Sequence, residues 1–168
     1  MATLKKLFVD QLKDIYDAEH QIVEALPKLV KAASSDELKE AFSEHLEQTR
    51  NQIERLESVF SECGEAPARK TCKGMKGLLE EGEEAIKDES AGAVKDALLI
   101  GGAQKVEHYE IAEYGTLRAW AEELGLEDAV DLLGETLDEE SDADERLTSI
   151  AEGGLLEEGV NEEATAGA

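Results

Sequence analysis

One stretch of this chain decides its fold: GAQKVEHYEIAEYGTLRAWAEELG, residues 102–125. Its apolar residues continue a pattern that repeats every three or four positions, which is the period of an α-helix with one buried side. Glu107 lies at the middle of that apolar stripe, and Gly125 is a residue typical of a helix end. The stretch therefore predicts a long helix over residues 93–124 with a carboxylate turned toward the core.

The same helical period recurs in three other segments. We predict further long helices over residues 3–33, 35–63 and 126–151. Ser34 followed by Glu37 is typical of an N-terminal capping box, so Ser34 is the predicted N-cap of the second helix. A weaker pattern at 75–87 predicts a short helix between the second and third long helices. Two antiparallel pairs joined by one long crossover form the connectivity of ferritin-like bundles.

The predicted fold class is therefore all-α: a four-helix bundle with a short extra helix in its crossover, whose helix pattern suits a ferritin-like bundle and a plain structural bundle equally. The bundle is expected to form one domain over residues 1–152. Residues 153–168 form a short acidic segment, for which we expect a disordered C-terminal tail.

Charge excludes several classes of partner. The chain has 41 Asp and Glu against 17 Lys and Arg, a formal net charge of -24. Nucleic acid and anionic lipid surfaces both require clustered basic residues, so neither is an expected partner. No apolar run is long enough to cross a membrane, and the first residues lack the apolar segment of a signal peptide. We expect a cytoplasmic protein.

Acidic residues interrupt the apolar stripes where leucine or isoleucine is the usual choice. Glu19 lies at the middle of the first stripe, Glu107 of the third, and Glu140 and Asp144 of the fourth. The second helix has no central acid. It carries Thr49 near the centre of its stripe, with His45 and Gln52 about one turn to either side. Glu19, Glu107 and Glu140 are all predicted about 22–27 Å from a helix end, so they can meet at one level.

Several ionised carboxylates buried together are very unfavourable unless an opposite charge offsets them. The inward faces supply almost no Lys or Arg, which favours a bound metal, and oxygen ligands with one imidazole suit iron or manganese. A hydrogen-bonded network without metal and an interface with a partner are the alternatives. His45, His108 and Glu110 are predicted at the boundary of their stripes, although His45 can turn inward.

Three segments carry a resemblance to a known family. They are AFSEHLEQTRNQIERLE (41–57), GAQKVEHYEIAEYGTLRAWAEELG (102–125) and LLGETLDEESDADERL (132–147). They resemble the bacterial and archaeal YciE/YciF proteins, a branch of the ferritin-like superfamily. The resemblance implies a rubrerythrin-like bundle, a homodimer, a role in stress responses and a ferroxidase-type activity.

The resemblance also bears on the metal ligands. The superfamily places one Glu on each of two helices and a Glu-x-x-His on each of the other two. Glu19 and Glu107 match the single acids, but the sequence contains no Glu-x-x-His. Glu140, for example, is followed three residues later by Ala143. The predicted ligands of an iron or manganese centre, mononuclear or dinuclear, are Glu19, His45, Glu107, Glu140 and Asp144.

Two functions follow from these predictions. The first is a carboxylate-bridged metal protein that acts on Fe(II), dioxygen or peroxide. The second is a non-enzymatic, stress-associated bundle that has kept the fold and lost the di-metal chemistry. Oxygen-dependent absorbance on adding Fe(II) is expected only for the first.

Overall fold

A computed structural model describes residues 3–88, 90–153 and 158–166. The helices are α1 (Leu4–Ala32), α2 (Asp36–Glu62), α3 (Lys73–Lys87), α4 (Gly92–Leu124), α5 (Glu127–Glu152) and α6 (Val160–Ala166). Over the described residues there is no β-strand, and one isolated bridge joins Gly153 to Glu158. The all-α class is confirmed, and each predicted helix boundary lies within three residues of the observed one.

The four long helices close into a ring. Helix α1 packs against α2 and α4, and α5 packs against the other side of α2 and α4. Helix α3 crosses outside the ring and contacts α1 and α4, as a crossover helix must. The centre is filled by large side chains without access to water, among them Phe8, Leu12, Phe60, Tyr114 and Leu133. This is the ferritin-like bundle that the sequence predicts.

The turn between α1 and α2 is held by a side chain from α4. The Asp96 carboxylate accepts hydrogen bonds from the backbone N–H groups of Ser34 and Ser35, both at 2.7 Å. With Ser34 held in this way, Ser35 is the N-cap of α2, and its hydroxyl accepts from the Leu38 N–H. The prediction of Ser34 as the N-cap is wrong by one residue, because the distant Asp96 could not be seen in the local sequence.

Replacing Asp96 by alanine should lower the free energy of unfolding by about 2 kcal/mol, since two charge-assisted hydrogen bonds are lost at a partly buried turn. Asp96→Asn retains one good acceptor and should lose less. Urea denaturation followed by circular dichroism measures both. The control is Asp138→Ala, which removes an exposed carboxylate from a helix surface. Equal stability of the Asp96→Ala and Asp138→Ala variants would contradict this role of Asp96.

Both ends of α3 are fixed by polar contacts. At its start the Cys72 sulfur accepts from the Met75 N–H at 3.4 Å, and at its end the buried Lys95 ammonium donates to backbone carbonyls of Ala85 and Ile86. The ring of Tyr109 lies directly on Gly74, where a Cβ atom would come within 2.7 Å of it. A glycine at this position therefore lets the crossover approach α4.

Part of the segment expected to be a disordered tail is helical. In α6, Val160 is buried, and the helix contacts α4 and α5. Gly159 lies so close to the end of α5 that a Cβ atom would overlap the backbone of Glu152 and Gly153. One buried valine and one glycine among many acidic residues do not form a hydrophobic pattern from which a packed helix could be predicted. Residues 154–157 and 167–168 of the predicted tail lie outside the described residues.

Candidate metal centre

Four glutamates from three helices are buried in the middle of the bundle. Glu19 on α1, Glu110 on α4 and Glu140 on α5 have no solvent exposure, and Glu107 on α4 is 3% exposed. Each occupies a position that its helix turns toward the other long helices. Because ionised carboxylates are almost never buried without a partner, this concentration requires a specific explanation.

His45 of α2 completes the cluster. His45, Glu107, Glu110 and Glu140 each offer one ligand atom, and these four atoms all lie within 4.8 Å of one another. The Nε2 atom of His45 is 3.5 Å from an oxygen of Glu107 and 3.7 Å from an oxygen of Glu140. We call these four residues the donor group. One ion placed among them would be reached by one nitrogen and three oxygens.

Among the residues that the structure describes, the donor group contains most of the buried side-chain polar atoms that lack a hydrogen-bond partner. Over the described residues, seven buried side-chain atoms lack a hydrogen-bond partner. They are Glu19 Oε2, His45 Nε2, Gln52 Oε1, Glu107 Oε2, both carboxylate oxygens of Glu110, and Glu140 Oε2. No described Lys or Arg forms an ion pair with any of these glutamates. Native proteins leave few such atoms unpaired, so their collection at one point marks a group that could hold a cation.

Burial raises the pKa values of these carboxyl groups. The pKa of Glu19 rises to about 8, first because the group is buried and second because the Glu140 charge is near. Burial likewise raises the pKa values of Glu107 and Glu110 well above the ordinary range, with neighbouring carboxylates adding to the effect. Without a metal, the centre therefore retains protons at neutral pH. A divalent cation would displace them.

Neighbouring side chains orient the cluster. The Tyr114 hydroxyl, itself fully buried, donates to Glu19 Oε1. The Gln52 amide donates to a carboxylate oxygen of Glu140. On the far side of the imidazole, Nδ1 of His45 lies 3.4 Å from the Gln48 amide oxygen, which leaves Nε2 to face the glutamates. Such outer contacts fix the rotamers and the histidine tautomer that a metal site needs.

Four of the five predicted ligands come together in the structure. Glu19, His45, Glu107 and Glu140 are all buried at the centre, and three of them belong to the donor group. Asp144 is outside that group: its side chain is 19% exposed, lies 3.5 Å from His108 Nε2 and accepts a hydrogen bond from Gln104. Asp144 thus lies at the edge of the centre, one helical turn from Glu140.

Glu110 is a ligand candidate that the apolar stripe of the sequence does not single out. It was predicted at the boundary of the apolar stripe, yet both of its carboxylate oxygens are buried. The reason is that α4 packs against α1, α3, α5 and α6, so its buried side is much wider than one stripe. The spacing Glu107-x-x-Glu110 was the available signal, because residues three apart lie on one helix face.

A cavity of about 180 Å³ lies between α2 and α5, beside the donor group. Its inner wall includes the buried His45 and Glu107, and Ala143 lines it from α5. Its outer wall includes exposed or half-exposed Glu44, Asp142 and Arg146. A second cavity of about 310 Å³, between α1, α3 and α4, includes no member of the donor group.

None of the helices in the described ranges is long and apolar enough to cross a membrane.

Comparison with known proteins gives concordant results. Residues 3–165 match the family described as "Domain of unknown function (DUF892)". The chain is 48% identical over 152 residues to Protein YciF of Escherichia coli (strain K12), covering 90% of this chain and 92% of that protein. The crystal structure of the E. coli stress protein YciF superposes with a TM-score of 0.86 at 47% identity, covering 89% of this chain and 94% of that one.

Two further structures share the fold. YcfI from Rhodopseudomonas palustris has a TM-score of 0.87 at 44% identity, covering 89% of this chain and 96% of that one. A dodecameric thioferritin, the bacterioferritin-related protein from Bacteroides fragilis, has a TM-score of 0.65 at 16% identity, covering 86% and 84% of the two chains, and shows the fold alone. The chain therefore belongs to the DUF892 family, which its resemblance to the YciE/YciF proteins predicts, and has a ferritin-like fold.

Proposed function

We propose that this chain is a ferritin-like metal-binding protein that holds iron or manganese in its core. The observation that carries the proposal is the set of buried, unpartnered atoms on His45, Glu107, Glu110 and Glu140, which lie close enough to share one ion. The donor chemistry fits: carboxylate oxygens with one imidazole are ligands of iron and manganese rather than of softer metals.

The residues have distinct roles in this proposal. The donor group would hold one ion, and Glu19, which accepts a hydrogen bond from Tyr114, would offer a further carboxylate beside it. Iron in such a site supplies one-electron redox chemistry toward dioxygen or peroxide. The chain contributes a buried set of ligands and carboxyl groups whose raised pKa values make them release protons when a cation binds.

Metal content is the direct test. Protein purified without an affinity tag or chelator should contain about one to two iron or manganese ions per chain by mass spectrometry, as carboxylate bundles of this type do. Fe(II) added under air should then give an absorbance change above that of Fe(II) in buffer. A chain that is empty and cannot be reconstituted with Fe(II) or Mn(II) would refute the proposal.

The alternative is a stress-associated bundle that has lost the di-metal chemistry. It is favoured by α2, which presents the fully buried Thr49 and Gln52 in place of a Glu-x-x-His pair, and by Ala143 on α5. This alternative expects bound metal without oxygen-dependent turnover, or no bound metal at all. The Fe(II) assay above separates it from a ferroxidase.

We also propose a cytoplasmic homodimer that forms through the first half of α4. Val94 and Leu98, four residues apart on this helix, are 43% and 41% exposed. Leu98→Glu should raise the dissociation constant of the dimer by about tenfold or more, because it would place a charge where the proposed dimer buries an apolar side chain. Light scattering over a dilution series measures it, with Leu7→Glu on α1 as the control. A monomeric wild-type protein would contradict the proposal.

A further inference from the structure

The cavity between α2 and α5 is bordered by two members of the donor group and by exposed side chains. At its inner end lie His45 and Glu107, each with a buried polar atom that has no partner. At its outer end lie the exposed side chains of Glu44 and Asp142. The other carboxylates of the centre, Glu19, Glu110 and Glu140, have no solvent exposure.

We propose that this cavity is the access route by which a divalent cation reaches the core, and that the ion pair between Arg146 and Glu44 controls passage. The proposal rests on the metal-binding function proposed above. It adds the path taken by the ion and two residues that determine the rate of its uptake.

Size and charge of the cavity suit a hydrated cation. A volume of about 180 Å³ corresponds to roughly six water molecules at their share of the liquid. Glu44 and Asp142 place negative charge at the mouth, where it raises the local concentration of cations. At the inner end, His45 and Glu107 would supply ligand atoms in place of water.

The ion pair spans the mouth from one helix to the other. Arg146 on α5 donates to the Glu44 carboxylate on α2, and their side chains are 37% and 56% exposed. An exposed pair of this kind contributes little stability, so it opens at small cost. While it is closed, the guanidinium repels an arriving cation and neutralises one of the two attracting carboxylates.

Ala143 keeps the cavity open. It is the residue three positions after Glu140, where the superfamily pattern has a histidine, and its methyl group leaves space that an imidazole would fill. A larger apolar side chain at this position should obstruct the path without removing any member of the donor group.

Stopped-flow mixing with Co(II), followed by its visible absorption, tests the route. Arg146→Ala should accelerate uptake by about tenfold at low salt, since a like charge leaves the mouth. Ala143→Leu should slow uptake by about tenfold or more. Lys28→Ala removes a comparable exposed ion pair, with Glu83 between α1 and α3, and should leave the rate unchanged.

Equilibrium titration separates the two proposals. Stoichiometry and affinity for Co(II) should remain those of the wild type in Arg146→Ala and Lys28→Ala, because neither residue belongs to the donor group. Bound Co(II) with unchanged uptake rates in both Arg146→Ala and Ala143→Leu would overturn the access route and leave the metal site standing. A wild-type chain that binds no Co(II) at equilibrium would overturn both.

Discussion

Glu107→Gln should yield a folded protein that no longer holds metal. Glu107 contributes to the donor group from the middle of α4, and its Oε2 atom faces His45 Nε2 across 3.5 Å without a hydrogen bond. Glutamine has the same shape as glutamate but no charge, and the NH2 group of its amide presents N–H donors that repel a cation. We expect the affinity for Fe(II) or Mn(II) to fall by at least about 100-fold.

Two measurements report this loss independently. Mass spectrometry after equilibration with Mn(II) should find metal in the wild type and almost none in Glu107→Gln. Thermal or urea unfolding should show that Mn(II) at about 1,000 times its dissociation constant stabilises the wild type by about 4 kcal/mol and the variant hardly at all. Circular dichroism should show equal helix content in both proteins.

At Glu110 and Asp144 the ligands predicted from the sequence differ from the donor group of the structure. The sequence predicts Asp144 as a ligand and places Glu110 at a boundary, whereas the donor group of the structure includes Glu110 and leaves Asp144 outside. Glu110→Gln should therefore lose metal as Glu107→Gln does, and Asp144→Asn should retain it. Metal retained by Glu107→Gln, or lost equally from Asp144→Asn, would contradict the donor group.

The features predicted correctly from the sequence are those that a single helix determines. The long helices were predictable because each has a strong period of buried residues and definite end signals, such as Gly125 at the end of α4. The depth of Glu19, Glu107 and Glu140 followed from helical rise alone. Helix period, end residues and helical rise are properties of a single segment, so they can be derived from its sequence alone.

Properties that depend on several helices at once were not predictable. Glu110 is buried because α4 has neighbours on several sides, and the N-cap of α2 is Ser35 because Asp96 reaches it from α4. Helix α6 exists where one valine and one glycine fit the end of α5. In each case the deciding neighbour is distant in sequence.

The metal-free protein should become less stable as the pH rises from about 5 to about 8. The pKa of Glu19 is about 8 in the folded chain, against an ordinary value of 4.5 that applies when the chain is unfolded. Between these values the folded state binds more protons than the unfolded state, so raising the pH favours unfolding. The contribution of Glu19 is fully present below about pH 4.5 and is lost as the pH passes through about 8.

Glu19→Gln should remove this part of the pH dependence. The amide stays neutral at every pH, and its oxygen can still accept from the Tyr114 hydroxyl. At about pH 8, chelator-treated Glu19→Gln should be more stable than the chelator-treated wild type by on the order of 3–5 kcal/mol, and the difference should shrink toward about pH 5. Urea denaturation at several pH values measures it, with the exposed Glu24→Gln of the same helix as the control.

Adding metal should reverse the order of stability. Mn(II) supplies the positive charge that the wild-type carboxylates lack, so it should stabilise the wild type at about pH 8 more than Glu19→Gln. A protein selected only for stability would replace Glu19, since a neutral or apolar side chain avoids the burial of a charge. If Glu19→Gln instead has the pH profile of the wild type, the buried carboxyl of Glu19 is not the group that destabilises the metal-free protein. If it gains stability but Mn(II) stabilises both proteins equally, that carboxyl serves no cation.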